Sequence, residues 1–309
     1  MNKNKLVQQL ATFGSLIILI IFFSITSSTF LSIDNFLSIA LQTAVIGIVA
    51  LGSTFVIITS GIDLSVGAIV AFSGVMMGFA MQAGMPTFIS ILIGLLSGVA
   101  LGVAIGLFIT KAKLPPFIVT LGFMMMVRGL VLALTNGMPI SGLNDGFDKL
   151  AAGTILKIPY PVIFLIVLAV VLGFVLKNTK IGKYVYAIGS NEDASKLSGV
   201  NVDRVKLFVY GLSGLMCAIS GIILASRLIS AQPTEGMGYE MDAIAAVVIG
   251  GASLAGGTGT IFGTMLGAFI MTVLKNGLTM LNVSGMWQQV AVGAVVLGAV
   301  YIDNLKNRR

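Results

Sequence analysis

The sequence predicts an all-α, polytopic membrane protein, and three observations lead to that fold class. Of the 309 residues, 57% are hydrophobic and only 9% are charged, against roughly 25% charged residues in an average soluble domain. Apolar stretches of about 20 residues recur along the chain, a length that crosses the hydrocarbon layer of a bilayer. Lysine and arginine concentrate in loops that such a bundle places on one side. We therefore expect one transmembrane helix bundle, residues 1–309, as a single domain.

Ten apolar segments are predicted to cross the membrane in turn. They are 11–31, 36–59, 65–83, 88–110, 116–135, 160–177, 206–226, 241–255, 260–279 and 286–303. The first is longer than the apolar core of a signal peptide, so it is expected to remain as a peripheral span. The third and eighth are short or interrupted by glycine. The remaining segments form two pseudo-repeated halves, 36–135 and 160–303.

Basic residues set the orientation expected for these segments. Five of the 18 Lys and Arg residues do not lie on the cytoplasmic side. Three are in outer loops (Lys149, Lys157 and Arg227) and two are within spans (Arg128 and Lys275). The remaining 13 lie on the cytoplasmic side when both termini are placed there. An odd number of spans would move a basic terminus outside, against the positive-inside rule. The net charge of +7 is thus explained without nucleic acid as a partner.

Missing residue types exclude several function classes. The chain has no histidine and one cysteine, Cys217, so a Ser-His-Asp triad, a histidine metal site and an intrachain disulfide are all absent. A phosphate-binding loop is also missing, because Tyr184 follows the only Gly-Lys pair. Among the 11 acids, only Asp63 and Asp242 come near a span. Proton coupling usually depends on ionisable residues within the spans, so the sequence argues against it. If the protein transports a solute uphill, a partner must supply the energy.

Two glycine-rich turns, 60–67 and 250–263, interrupt the apolar sequence in the first and second halves. Paired interruptions of this kind are typical of inverted repeats around a central pathway, although glycine is also common in ordinary membrane helices. The residues predicted to border such a pathway are Gly61, Asp63, Ser65, Asn136, Asp242, Gly250, Gly251 and Ser253. For Asp63 with Ser65, capping of the third helix is the simpler role and a gate is the alternative.

Glycine recurs at every fourth residue in the fourth span, at positions 94, 98, 102 and 106. Such a stripe lets another helix backbone approach closely. We expect it to pack against a helix of the same subunit, with a subunit interface as the alternative.

The cytoplasmic loop 178–204 is the most polar stretch and contains the pattern of a short exposed helix. The pattern consists of Ser190 as the N-cap, Glu192 and Asp193 in the first turn, Ala194 and Leu197 as an apolar face, and Gly199 at the C-terminus. A two-turn helix is marginal alone in water and needs a surface to pack on. The loop is therefore a candidate docking element, with an ordinary solvated loop as the alternative.

These same stretches resemble a known family, from about residue 30 to the C-terminus. The matching motifs are 59–67, 135–137, 189–201, 230–234 and 238–251 followed by 253–257. They are similar to the ribose-type monosaccharide permeases of bacterial ATP-binding-cassette (ABC) importers. The block 238–251 is the most specific of them.

The resemblance implies a transport subunit of the bacterial cell membrane that moves ribose or a related monosaccharide inward and has no catalytic site. A second permease copy would pair with it in the lipid, and a sugar-binding protein would dock outside on 136–159 and 227–240. Separate ATPase subunits would hold ATP and magnesium, so no cofactor is expected on this chain. The implied ATPase-coupling residues are Gly189, Ser190, Asn191, Glu192, Asp193, Ala194, Leu197, Ser198, Gly199 and Val200.

Two other function classes stay open at this point. A stand-alone secondary sugar carrier would transport without an ATPase, but it lacks the acid and histidine pairs that proton coupling usually needs. An intramembrane enzyme would need a nucleophile with its base, or a metal constellation, and the sequence shows neither.

Overall fold

The computed structural model describes residues 3–307 of the chain, with side chains described for residues 12–301. It is an all-α bundle, 75% helical. The elements in order are α1 Lys3–Thr26, α2 Ile33–Ile58, α3 Val66–Gln82, α4 Thr87–Thr110, α5 Pro116–Thr135, α6 Lys149–Ala152, β1 Thr154–Ile155, β2 Ile158–Pro159, α7 Tyr160–Asn178, α8 Lys180–Ser190, α9 Glu192–Leu197, α10 Val202–Leu228, α11 Tyr239–Ile249, α12 Ile261–Met280 and α13 Gly285–Asn307. The short strands β1 and β2 pair antiparallel. Below, "outer" and "cytoplasmic" follow the orientation predicted from the basic residues.

A helix occupies each of the ten predicted segments, and six of the described helices are long and apolar enough to cross a membrane. These six are α2, α4, α5, α7, α10 and α12. Three predicted boundaries are wrong by five residues or more. The first helix begins at Lys3 and ends at Thr26 rather than spanning 11–31, and the eighth ends at Ile249 rather than residue 255. The helix in the eighth segment is α11. Gly251, with φ +94°, ends it because a left-handed backbone cannot continue a helix.

The helices α2 and α10 form the centre of the bundle, and α4 packs directly on α10 through the glycine stripe. A Cβ atom added to Gly98 would lie 2.6 Å from the Gly214 carbonyl oxygen, and one on Gly102 would overlap the Tyr210 carbonyl oxygen. The two backbones are therefore in contact, which only glycine permits. This packing confirms the expectation that the stripe serves contacts within one subunit.

Helix starts follow local sequence signals. The side chains of Ser32, Asn201 and Thr260 accept hydrogen bonds from backbone amides in the first turns of α2, α10 and α12. Each side chain satisfies an amide that has no partner within its helix.

The outer loops of the two halves contact each other. Ile140 and Ala231 form an antiparallel bridge with two hydrogen bonds of 2.9 Å. The Ser226 hydroxyl donates to the Phe147 carbonyl oxygen at 2.7 Å, which ties the outer end of α10 to the loop that follows α5. The bundle is thus closed on its outer side by loops from both halves.

Candidate translocation path and coupling site

The exposed cytoplasmic helix α9 forms where the sequence predicts it, but a different residue caps it. The Asn191 side-chain oxygen accepts from the Ala194 amide at 2.8 Å. The predicted cap, Ser190, is wrong, because α8 continues to Ser190 and its hydroxyl donates to the Tyr186 carbonyl oxygen at 2.9 Å. The backbone becomes extended only at Asn191, with φ −162°, which is the conformation that an N-cap needs.

One ion pair holds α9 against α10 and another lies within α9, while the apolar side of α9 is exposed. Glu192 pairs with Lys196 and with Lys206, both at 2.7 Å. Partial burial alone would raise the pKa of Glu192, but the hydrogen bonds and charges of these two lysines lower it overall. Leu197 is 91% exposed. Gly199 has φ +83°, which confirms the predicted left-handed end of the helix.

The coupling loop meets both glycine-rich turns at one point, which we call the cytoplasmic junction (residues 58, 60, 189, 255 and 257). The Ser60 hydroxyl donates to the carbonyl oxygens of Gly189 at 3.2 Å and Ala255 at 2.8 Å. The Gly257 amide donates to the Ile58 carbonyl oxygen at 2.9 Å. Gly189 is buried, and a Cβ atom there would overlap the Ile58 oxygen and lie 2.5 Å from the Gly257 nitrogen.

A tyrosine adds a further link between α8 and the second glycine-rich turn. The Tyr186 hydroxyl donates to the Gly259 carbonyl oxygen at 2.7 Å, and partial burial raises the pKa of this tyrosine. Sequence analysis missed both Tyr186 and Ser60, because their partners are far away along the chain. Movement of α8 and α9 would therefore act directly on the C-terminal end of α2 and on the turn before α12.

Asp63 lies in the first glycine-rich turn, residues 60–67, but it does not cap α3 in the predicted way. Its carboxylate accepts from the Ser65 amide at 3.0 Å, from the Ser65 hydroxyl at 2.5 Å and from the Ser213 hydroxyl at 2.9 Å. The helix begins at Val66 after Ser65, whose side chain makes no cap hydrogen bond. The Asp63 carboxylate accepts hydrogen bonds only as far along the chain as Ser65, one residue before α3 begins. Its other oxygen atom accepts from Ser213 of α10. Asp63 is 4% exposed.

Asp242, a predicted pathway residue, is paired within the bundle. Its carboxylate is 2% exposed and forms an ion pair with the Lys275 ammonium of α12. A buried carboxylate with a cationic partner avoids most of the cost of an isolated charge. Sequence analysis placed Lys275 within a span without identifying it as the partner of Asp242, since no local spacing connects α11 with α12.

The helix α11 is a discontinuous element, and its first turn meets the first turn of α3 inside the bundle. With 11 residues, α11 is about 16 Å long, roughly half of the hydrocarbon thickness. Residues 229–238, the re-entrant segment, lead from the outer end of α10 to its start. A Cβ atom on Gly67 would overlap the Gly236 carbonyl oxygen, so the two backbones touch. Discontinuous helices of this kind surround substrate sites in many transporters.

The remaining predicted pathway residues lie in different places. Gly61 lies against α10, where an added Cβ atom would be 2.6 Å from the Tyr210 hydroxyl. Gly250, Gly251 and Ser253 form the end of α11 and the start of the turn that reaches the cytoplasmic junction. Asn136 stands apart from them, exposed at the outer end of α5 with φ 50°.

An all-α membrane bundle with a discontinuous helix and an exposed cytoplasmic helix is typical of the membrane-spanning subunit of a transport system. The family model described as "Branched-chain amino acid transport system / permease component" matches residues 35–300. The chain belongs to this family of permease components.

Comparison with curated proteins gives relatives along nearly the whole chain. The chain is 49% identical over 302 residues to the ribose import permease protein RbsC of Bacillus subtilis (strain 168), covering 97% of this chain and 94% of the relative. It is 44% identical to the Haemophilus influenzae protein of the same name, covering 95% and 92%. It is 36% identical to the xylose transport system permease protein XylH of H. influenzae, covering 94% and 95%. No solved structure matches the chain.

The chain is therefore a permease subunit of an ABC importer and a multi-pass protein of the cell membrane. Such a subunit is a transport component, and an ATPase and a solute-binding protein complete the system.

Proposed function

We propose that this permease carries ribose or a closely related monosaccharide into the cytoplasm. Identity of 49% and 44% to proteins named as ribose import permeases is the observation that supports this substrate. The family description refers to branched-chain amino acids, but it covers a broad family, whereas the similarity to the sugar permeases extends over almost the full chain. More distant relatives named for xylose and for D-allose transport favour monosaccharides in general as the substrate class.

The ATPase would be engaged by residues 189–200, with α9 seated in a cleft of the ATPase. The 91% exposed Leu197 supports this role, because an apolar side chain on a short surface helix is stabilised by a partner surface. ATP and magnesium would bind the ATPase, and this chain would need no cofactor of its own. Closure of the ATPase dimer would move α9, and the cytoplasmic junction would pass that movement to both glycine-rich turns.

The full architecture would comprise ten spans with both termini in the cytoplasm, arranged as a peripheral first span and two halves, 36–135 and 160–303. One glycine-rich turn lies in each half, next to α3 and next to α11, which supports an internal repeat. Two copies of the permease would pair in the lipid, and the sugar-binding protein would dock on the bridged outer loops. Residues 178–204 would remain the cytoplasmic coupling loop.

Uptake of labelled ribose into proteoliposomes tests this function. We expect uptake only when the permease is reconstituted with its ATPase, its binding protein and ATP, and competition by other sugars will identify the substrate. Leucine and valine serve as competitors for the amino-acid alternative, and a strong effect from them would contradict a sugar. Uptake by the permease alone that depends on a proton gradient would instead support a secondary carrier.

A further inference from the structure

Three charged side chains lie below the outer surface, where α5, α11 and the re-entrant segment meet. Arg128 lies about 10 Å below the outer end of α5 at 1.5 Å per residue. Its guanidinium donates to the Glu235 carbonyl oxygen at 2.5 Å and approaches the Pro233 carbonyl oxygen at 3.5 Å. The carboxylates of Glu235 and Glu240 both attract it electrostatically. Arg128 thus fixes the backbone of the re-entrant segment and lies beside two acids.

Glu240 is the deepest of the three. A Cβ atom added to Gly67 would lie 2.7 Å from its Oε2 atom. Gly67 is in the first turn of α3, about 22 Å along the helix from its outer end at Gln82. The Glu240 carboxylate is therefore well inside the hydrocarbon layer, where an ionisable group facing lipid is costly and such groups instead face a bundle interior or a water-filled cavity.

None of the three side chains is fully buried by its own chain, since Arg128, Glu235 and Glu240 all remain partly exposed. A narrow cavity of about 10 Å³ lies beside Glu235, between α3, α10 and the re-entrant segment, and its polar lining consists of Ser230, Gln232 and Glu235. Glu235 contributes to the cavity lining and, through its carbonyl oxygen, to the anchoring of Arg128.

We propose that Arg128, Gln232, Glu235 and Glu240 form a sugar-contact site of the permease itself, an inference that rests on the proposed sugar transport. Each hydroxyl of a neutral sugar both donates and accepts hydrogen bonds. Carboxylates accept such bonds, while the arginine and the amide group donate them. Because two acids accompany one arginine, the site disfavours anionic sugars such as sugar phosphates. The sugar would pass from the binding protein to this site before the contact between α3 and α11 opens.

Thiol labelling tests whether the site faces the path. Gln232→Cys, in a Cys217→Ala background, is treated with a membrane-impermeant thiol reagent in the complete transporter. We expect labelling from the outside that ribose-loaded binding protein slows several-fold. Leu156→Cys is the matched control, because Leu156 lies in the outer loop at 90% exposure and should be labelled without any effect of the sugar. If Gln232→Cys is not labelled, or crosslinks to a second permease copy, the proposed site is wrong.

Uptake kinetics then test the acids. With saturating loaded binding protein, Glu240→Gln should lower the maximal ribose uptake rate roughly ten-fold, the effect of one lost charged hydrogen bond. Asp34→Asn removes the same charge from an exposed position on α2 and should transport normally. Wild-type uptake by Glu240→Gln and by Glu235→Gln, together with unprotected labelling, would overturn the site while leaving the transport function intact. Absence of sugar uptake by the wild-type transporter would instead contradict the proposed function.

Discussion

Replacing Gly189 by alanine should uncouple ATP hydrolysis from transport. The new Cβ atom would overlap the Ile58 carbonyl oxygen and crowd the Gly257 nitrogen, and neither backbone atom can rotate away. Overpacking of this kind costs about 1–3 kcal/mol. Loss of the Gly257 to Ile58 hydrogen bond, 2.9 Å long, would add about 1 kcal/mol. The junction would therefore be destabilised by about 2–4 kcal/mol, which corresponds to roughly a 30- to 1,000-fold shift in its equilibrium.

The assay compares ribose uptake with ATP hydrolysis in proteoliposomes that contain the complete transporter. We expect Gly189→Ala to assemble with the ATPase and hydrolyse ATP, while sugar uptake per ATP falls at least ten-fold. Gly122→Ala is the matched control, since an added Cβ atom at Gly122 has no neighbour within 4 Å. Normal uptake per ATP in Gly189→Ala would refute the role of the cytoplasmic junction in coupling.

Three further predictions concern single contacts. Leu197→Asp should abolish co-purification of the ATPase while the permease still inserts, whereas Leu156→Asp, an outer-loop control at 90% exposure, should co-purify normally; retained binding in Leu197→Asp would exclude α9 as the docking element. Asp63→Asn should lower the thermal unfolding temperature in detergent without changing sugar preference, because the hydrogen bonds from Ser65 and Ser213 lose a charged acceptor, and such bonds are worth about 1.5–3 kcal/mol each. A changed sugar preference at full stability would point to a gate instead. Lys275→Met should destabilise the fold by about 3–5 kcal/mol, because it leaves the buried Asp242 carboxylate unpaired, and adding Asp242→Asn should restore most of that loss. Equal instability of the single and double variants would contradict the ion pair.

Periodic and local signals in the sequence predicted most of the helices. Segments 116–135 and 160–177 agree with α5 and α7 to within one residue, because proline marks their starts and continuous apolar sequence fills them. The end of α11 was predicted six residues too late. Apolar residues continue beyond Gly250, and only the left-handed backbone at Gly251 shows that the helix has stopped.

The candidate sites were harder to predict, because their contacts join distant parts of the chain. The position of α9 and its end at Gly199 followed from local residue types. The Asn191 cap was missed because α8, an additional helix, takes up Ser190. The bonds of Ser60 to Gly189 and Ala255 connect residues 129 and 195 positions apart, and no pattern in a single sequence reports such a pairing.

The ion pair between Asp242 and Lys275 also has a consequence for biogenesis. A helix of 11 residues with Glu240 and Asp242 in its first turn is too short and too polar to enter the lipid from the translocon by itself, since one central acid costs about 2.5–3.5 kcal/mol. Its neutralising lysine is synthesised later, within α12. α11 can therefore insert stably only after α12 has been synthesised, and the two helices should enter the bilayer together as a hairpin.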